Sequence, residues 1–427
     1  MNALTNTPPI TNLKHKENTS SLIYQVWGQG PTKRYDELAS HFRPIFEKIK
    51  STTLEREKQR ILPFEQLQWL KDAGFTRLRL PKSHHGFDAT LPELFALLIE
   101  LAQADANLPQ ALRVHFGFTE DVLLSHNAEF KSVWLERLGR GETIGSAWSE
   151  GGTEAIDQFS THIQQSADGK ILLNGRKFYT TGSLYADWID VGITDLNGES
   201  ASIIIPRQST GVEVIDDWNG FGQILTASGT AIFKEVDVTE YPVIADENRF
   251  KYSAAFYQLI QLSIITGLNR AASYDVASAV AARDRNYTHA NSQFIRHDPQ
   301  ILQVVGQVRS AAYTATAIIE KNAQALQRTY EAALFGQSED ELDLNAIAEL
   351  EVAQAQTIIT TLALQASTNL FDALGASATN KDIALDRYWR NIRTLSSHNP
   401  RIYKDRIIGD FSVNGTLPPY QWRIGKA

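Results

Sequence analysis

The chain has 427 residues, 43% hydrophobic and 21% charged, the balance of a soluble globular protein long enough for two or three domains. Its formal net charge of −8 excludes the basic surfaces that nucleic acid and anionic membranes select. With no cysteine, and no methionine beyond Met1, disulfides and thiolate chemistry are excluded as well.

Residues 1–34 read as a loose polar arm without the apolar centre of a secretory signal, so a cytoplasmic location is expected. No apolar run is long enough to span a bilayer. Residues 36–60 predict a charged amphipathic helix, interrupted only by Pro44. Pro63-Phe64-Glu65 opens a short helix closed by Gly74. Thr90-Leu91-Pro92-Glu93 is a capping box that starts an apolar helix running to about Ala104. Helices over residues 108–126 and 129–138 complete an N-terminal helical domain, residues 35–141.

At Glu142 the pattern turns to short, alternating, β-branched runs, which continue to about Val238. Asp168-Gly169, Asn174-Gly175, Asn197-Gly198 and Asn219-Gly220 punctuate them, and Asn174-Gly175 predicts a two-residue hairpin turn. Residues 142–245 are thus a central antiparallel β domain. One of its strands ends in Tyr179-Thr180-Thr181-Gly182-Ser183, where a ring, hydroxyls and open backbone suit a planar polar ligand better than a continuing strand.

The helical period then returns. Ile301, Val304, Val305, Val308, Ala312, Ala315 and Ile319 recur at helical spacing, and Ser338-Glu339-Asp340-Glu341 reads as a second capping box opening an Ala/Leu-rich helix to about Leu374. With helices over residues 252–283 and 382–393, residues 246–427 form a C-terminal four-helix bundle and tail. Its Ala-rich faces suggest packing between subunits.

In order along the chain, these stretches resemble the acyl-CoA dehydrogenase superfamily. Residues 67–74, then Arg79-Leu80-Pro81 and Gly86, resemble its first-domain pattern. Ala147-Trp148-Ser149-Glu150 is similar to the stretch whose third residue meets the flavin pyrimidine edge. Asn174 through Thr181 resembles the strand that carries an aromatic and a hydroxyl beside the flavin ring. Arg283-Asp284-Arg285-Asn286-Tyr287 resembles the start of the segment that sends an arginine to the flavin phosphates of a neighbouring subunit. The resemblance spans residues 35–415. It implies an α+β, mostly α fold of helical domain, β domain and helical bundle, assembled as a homotetramer.

The departures are informative. The superfamily's dehydrogenases carry a catalytic glutamate near the carboxyl end, but the corresponding stretch, Arg390 to Pro400, holds no carboxylate to take an α-proton. Gly375-Ala376-Ser377 replaces a Gly-Gly pair used against the adenine half of FAD, which implies FMN, with FAD the weaker candidate. These changes are similar to the flavin monooxygenase branch, as are Asp217 to Gln223, Thr226-Ala227-Ser228-Gly229, and Asp386 to Asn391 leading to Ser397-His398-Asn399-Pro400. An arginine that this branch places near the flavin phosphate is replaced by Ser377, and a second histidine by Leu395, so phosphate binding would rest on Arg285 and hydroxyls.

The resemblance assigns His398 and Thr181 to catalysis. His398 stands where the glutamate is missing and would hold or protonate the reactive oxygen. Thr181 would donate a hydrogen bond to flavin N5 or to that oxygen. Trp148, Ser149, Tyr179, Trp218, Ser228 and Arg285 are the remaining cofactor candidates. His115, Phe116 and Phe118, on one helix near the expected substrate entrance, are the pocket candidates, with His115 equally compatible with the core. No metal is expected, because His84-His85 are adjacent and unsupported by ligands at productive spacing. No dinucleotide or Walker glycine pattern appears, so a separate reductase would supply reduced flavin.

A chain nearly free of sulfur fits a protein made in quantity when sulfur is scarce, better than heat adaptation, which would also shed the plentiful Asn and Gln, or than shelter from peroxide, which would threaten mainly residues near the site or surface. Together with the resemblance, this implies a two-component monooxygenase that uses reduced FMN and O2 on a small organosulfur compound: a sulfone, sulfinate or sulfide. The alternatives are an acyl-CoA dehydrogenase-type FAD oxidoreductase and a non-catalytic helical scaffold.

Overall fold

A computed structural model describes residues 27–151, 159–245, 249–336 and 338–419. The N-terminal helices are α1 (Tyr35–Gln59), α2 (Phe64–Asp72), α3 (Leu91–Ala104), α4 (Asn107–Ala111), α5 (Arg113–Leu124) and α6 (Ala128–Gly139). Helix α1 runs through Pro44, because Ala39, Phe42, Phe46 and Ile49 bury one apolar face that outweighs the lost backbone bond. Thr90 and Glu93 close the expected capping box on α3, whose apolar side chains are almost all buried. The helix expected over residues 108–126 is two helices, broken at Leu112, whose backbone (φ −90°, ψ 0°) leaves the helical region.

Eight strands follow: β1 (Ile144–Ala147), β2 (His162–Gln165), β3 (Ile171–Lys177), β4 (Trp188–Thr194), β5 (Ser200–Pro206), β6 (Val212–Ile215), β7 (Thr230–Asp237) and β8 (Val243–Ala245). They form one sheet in the order β6-β7-β3-β2-β4-β5-β8, with β1 on β4. The sheet is mixed: most neighbours are antiparallel, as expected, but β1 runs parallel to β4. Asp168-Gly169 and Asn197-Gly198 turn hairpins. Asn174-Gly175 does not. It lies inside β3, where the register against β7 shifts between Leu173 and Gly175, and Asn174 Oδ1 accepts from the Glu235 N–H. The pair is a bulge in a strand already paired on both edges.

The C-terminal helices are α7 (Ser253–Ala282), α8 (Pro299–Phe335), α9 (Ser338–Asn369), α10 (Asp386–Ser396) and α11 (Lys404–Asn414). The side chains of the second expected capping box lie largely outside the described residues. Helices α7, α8 and α9 pack together with α3, joining the N-terminal domain and the bundle in one apolar core. Among the described residues no helix is long and apolar enough to cross a membrane.

Candidate active site

Strand β3 hands its end to an irregular segment bonded on both sides. The Phe178 N–H donates to the Ser149 carbonyl at 2.8 Å. Tyr179 then takes a left-handed backbone (φ +55°) and holds its ring 59% exposed, edge-on to Trp218 at 5.9 Å. A left-handed conformation costs a bulky residue about 1 kcal/mol and persists where neighbours impose it, often at ligand sites. Here the neighbours are residues 223–230: Thr180 N–H and hydroxyl both donate to the Gly229 carbonyl, and Gly182 N–H donates to the Thr226 carbonyl. Gly182 is required, since a Cβ there would stand 2.1 Å from the Ala111 carbonyl oxygen. Its absence lets the segment close onto α4.

Three hydroxyls line up between these segments. Thr226 Oγ1 donates to the Gln223 carbonyl at 2.8 Å and lies 2.7 Å from Ser228 Oγ, which lies 2.8 Å from Thr181 Oγ1. With Thr226 committed to that carbonyl, the protons run from Thr181 to Ser228 to Thr226. Thr181 therefore presents an acceptor oxygen, not the donor expected from the sequence. It suits an N–H on the ligand.

Trp148 is tied inward: its indole N–H donates to Asp190 Oδ2 at 3.1 Å. Behind it, Arg249 bonds Asp190 (2.8 Å) and Asp121 (2.7 Å). Ser149 is exposed. Glu150 bonds the buried Lys177 ammonium at 2.6 Å and accepts from the Ser160 and Thr161 N–H groups. The partners shift in opposite senses. Burial carries Lys177 down to about 8 against the pull of Glu150, whereas Glu150, though partly buried, is carried down to about 2 by Lys177 and its other donors. Both remain charged at pH 7, because Glu150 is satisfied from several sides.

A second group of polar residues comes from α5, α7 and the turn after α10. Helix α10 is fixed to the β domain by Asn391, whose Oδ1 accepts from the Gln223 N–H (2.5 Å) and Nε2 (3.1 Å), and by Arg390 on the Phe221 carbonyl (3.0 Å). Phe221 also stacks on Trp389 at 5.9 Å. His398 follows this helix, its ring accessible and its Nδ1 3.1 Å from Asn399 Oδ1; Asn399 in turn donates to Gln258 Oε1 at 2.6 Å. The enclosing walls, and then Arg113, lower the His398 pKa to about 4. Water reaching the accessible ring offsets part of that shift, and both effects leave the imidazole neutral at pH 7.

The break at Leu112 starts α5 at Arg113, whose guanidinium lies 5.1 Å over the Tyr257 ring. Its Nε is buried without a partner, and no carboxylate among the described residues pairs with it. Burial lowers its pKa.

Tyr179 and Trp218 are brought together, as are Thr181 and Ser228, while His398 follows α10, the helix that Asn391 ties to Gln223 ahead of Ser228. The pocket candidates do not join them. Phe116 and Phe118 are fully buried, Phe116 edge-on to Phe75 and Phe118 edge-on to Trp134. His115 is core as well: its Nε2 bonds the Thr76 carbonyl at 2.7 Å, and burial pushes its pKa down to about 4. All three occupy buried positions of α5, whereas Arg113, at its first turn, is half-buried and acts on His398. Arg285 is exposed, away from these residues, on a stretch that Arg283 anchors to the Leu374 carbonyl. Sequence reasoning missed Arg113, Tyr257 and Asn391. Arg113 stands in the same run as His115, but the only signal was its charge in an apolar stretch.

Comparison with known proteins places this geometry in context. The acyl-CoA dehydrogenase N-terminal domain model matches residues 33–142, and the acyl-CoA dehydrogenase C-terminal domain model residues 259–400. A dibenzothiophene monooxygenase of Rhodococcus erythropolis is 26% identical over 392 residues, covering 88% of this chain and 93% of that protein. A probable FMNH2-dependent monooxygenase, SfnC of Pseudomonas putida, is 25% identical over 386 residues, covering 88% and 94%. The crystal structure of TdsC from Paenibacillus sp. A11-2 with FMN and indole shares the fold, with a TM-score of 0.81 at 24% identity over 90% of this chain and 98% of that one. From its first helices through its C-terminal bundle, the chain belongs to the acyl-CoA dehydrogenase superfamily.

Proposed function

We propose that this protein is the oxygenase component of a two-component flavin monooxygenase, using reduced FMN and O2 to oxygenate a small organosulfur compound. The observation that carries the reading is the exposed Tyr179 ring beside the hydroxyl relay, with His398 on the turn after α10, where a dehydrogenase of this superfamily would need a carboxylate. Relatives of similar length bear monooxygenase names.

The residues present fit FMN. Tyr179 offers an exposed ring that Trp218 braces edge-on, Ser149 an exposed hydroxyl, and Thr181 an acceptor for a ring N–H. Bound reduced FMN supplies the two electrons that place one oxygen atom of O2 on the substrate (on sulfur in a sulfide or sulfinate, on an adjacent carbon in a sulfone) and release the other as water. Thr181 and Ser228 orient the ring edge, the aromatic pair excludes water, and neutral His398 holds the reactive oxygen through a ring nitrogen. The reduced flavin would come from a separate reductase in the cytoplasm, and the product would feed sulfur acquisition.

The flavin sites would be composite in a homotetramer. Arg285 is exposed and free of the cleft of its own chain, and Leu302, Tyr313, Ile347 and Ile358 present large apolar side chains along α8 and α9. Light scattering should give a tetramer mass, and a monomer that retains full activity would refute the composite site.

The function is tested by adding reduced FMN anaerobically, then 18O2 and a panel of sulfones, sulfinates and sulfides. One labelled oxygen in the product is expected. Turnover of an acyl-CoA with an artificial electron acceptor, with no oxygenation, would favour the dehydrogenase reading. Failure to bind either flavin would favour a scaffold.

A further inference from the structure

Near His398 lies a cation that the reaction as described leaves unused. Arg113 opens α5 after the break at Leu112, and its side chain is half-buried where the residues that follow it are fully buried. The guanidinium lies over the Tyr257 ring, its Nε is sealed from water, and no described carboxylate or carbonyl bonds it. Arg56 pairs with Asp105, Arg79 with Glu120, and Arg249 with Asp121 and Asp190, whereas the buried Arg270 bonds the Thr316 hydroxyl and has the Glu100 charge nearby. Arg113 has neither, and a half-buried guanidinium without a counter-ion is open to an anion that completes it.

The surroundings indicate where that anion sits. Tyr257 precedes Gln258, which holds Asn399, which holds His398. The unpaired cation and the accessible imidazole are thus both tied to neighbouring residues of α7, and the Arg113 charge acts on His398. Among the described residues no carboxylate acts on the Arg113 charge. A planar fork of donors matches two oxygens on one atom, which a sulfide lacks; a sulfone offers the two oxygens without a charge, and a sulfinate or sulfonate offers both the oxygens and the counter-charge.

We propose that Arg113 is the specificity-determining residue for an anionic head group, and that the substrate is an alkanesulfinate rather than a neutral sulfone or sulfide. This narrows the substrate class within the function proposed above and rests on it. Arg113 holds the two sulfinate oxygens, Tyr257 backs the guanidinium, and the sulfur lone pair is turned towards His398. Adding one oxygen atom from O2 converts R–SO2⁻ to R–SO3⁻, with the second atom leaving as water at the expense of the reduced flavin. The product is also an anion and is released from the same cation.

The test uses the full-length protein, Arg113→Met and Arg113→Lys, with a small alkanesulfinate and the neutral dialkyl sulfone of similar size. Calorimetric binding of the sulfinate to flavin-free protein is read first, then KM and kcat with reduced FMN. Arg113→Met should weaken sulfinate binding and raise its KM by about thirtyfold or more, with little change in reduced-FMN affinity. Arg113→Lys should restore part of the binding, keeping the charge but not the fork. Wild-type protein that binds no sulfinate, or an Arg113→Met loss equal for the sulfinate and the neutral sulfone, overturns the proposal. A parallel loss of flavin affinity also overturns it, by assigning the cation to the reduced cofactor. Sulfinate binding that depends on Arg113, in a protein that oxygenates nothing, would uphold the anion site and refute the monooxygenase.

Discussion

Thr181 Oγ1 stands 2.8 Å from Ser228 Oγ, and that one distance joins the end of β3 to the loop before β7. Because Ser228 passes its proton to Thr226, and Thr226 to the Gln223 carbonyl, the orientation of Thr181 is set from outside its own strand. Replacing Thr181 with Val removes the acceptor while keeping the shape. We expect reduced-FMN affinity to fall by about five- to tenfold, the equivalent of one hydrogen bond. Thr181→Ser should recover most of it. Fluorescence titration under anaerobic conditions measures both, and equal affinities in Thr181→Val and the parent would exclude the contact.

His398→Ala should uncouple oxygen use from product. The imidazole acts on the reactive oxygen and not on the resting cofactor, so FMN should bind normally while product formation falls by about a hundredfold or more. Oxygen taken up would reappear as hydrogen peroxide. His398→Gln should restore part of the coupling by returning a neutral donor. Paired oxygen-electrode and product measurements decide it: full coupling in His398→Ala would make this turn structural.

Glu150 carries a pH-dependent share of stability. Its folded pKa, about 2, lies below the ordinary carboxylate value, so the folded protein holds the proton less tightly than the unfolded chain. The stabilisation is therefore complete above about pH 4.5 and is lost as the pH falls towards 2. Glu150→Gln should remove this acid-side slope and also leave the Lys177 ammonium buried without its anion. A loss of about 3 kcal/mol at pH 7 is expected, read from urea unfolding at several pH values. An unchanged slope would contradict the pairing.

Asn391 is the joint between α10 and the β domain. Asn391→Ala leaves the Gln223 N–H and side-chain amide without their acceptor, which costs about 2 kcal/mol. Because His398 follows the same helix, coupling should suffer alongside the melting temperature. A variant that is destabilised but fully coupled would show that His398 keeps its place without the joint.

Much of the fold was legible because its signals are local. The Thr90 capping box, the apolar face of α8 and the turn at Asp168-Gly169 each act within a few residues, and each lies where the sequence put it. Asn174-Gly175 misled for the opposite reason: β7, some sixty residues away, pairs across it and turns a hairpin signal into a bulge. The site divides in the same way. Tyr179, Thr181 and Ser228 sit in short motifs and come together, whereas Phe116 and Phe118 share a run with Arg113, and only packing decides which of them meets the cleft. That Arg113 lacks an acid is a property of the whole neighbourhood and leaves no mark on its flanking residues.

Arg249 stands immediately before the C-terminal bundle and holds Asp121 of α5 with one nitrogen and Asp190 of β4 with another. One side chain thus clasps all three parts of the chain, directly beneath Trp148. Heat should accordingly undo the protein in a single step, with the helices and the sheet losing their order together. Cutting this clasp with Arg249→Met would let the β domain melt on its own, and a calorimetric trace would show two peaks where the parent shows one.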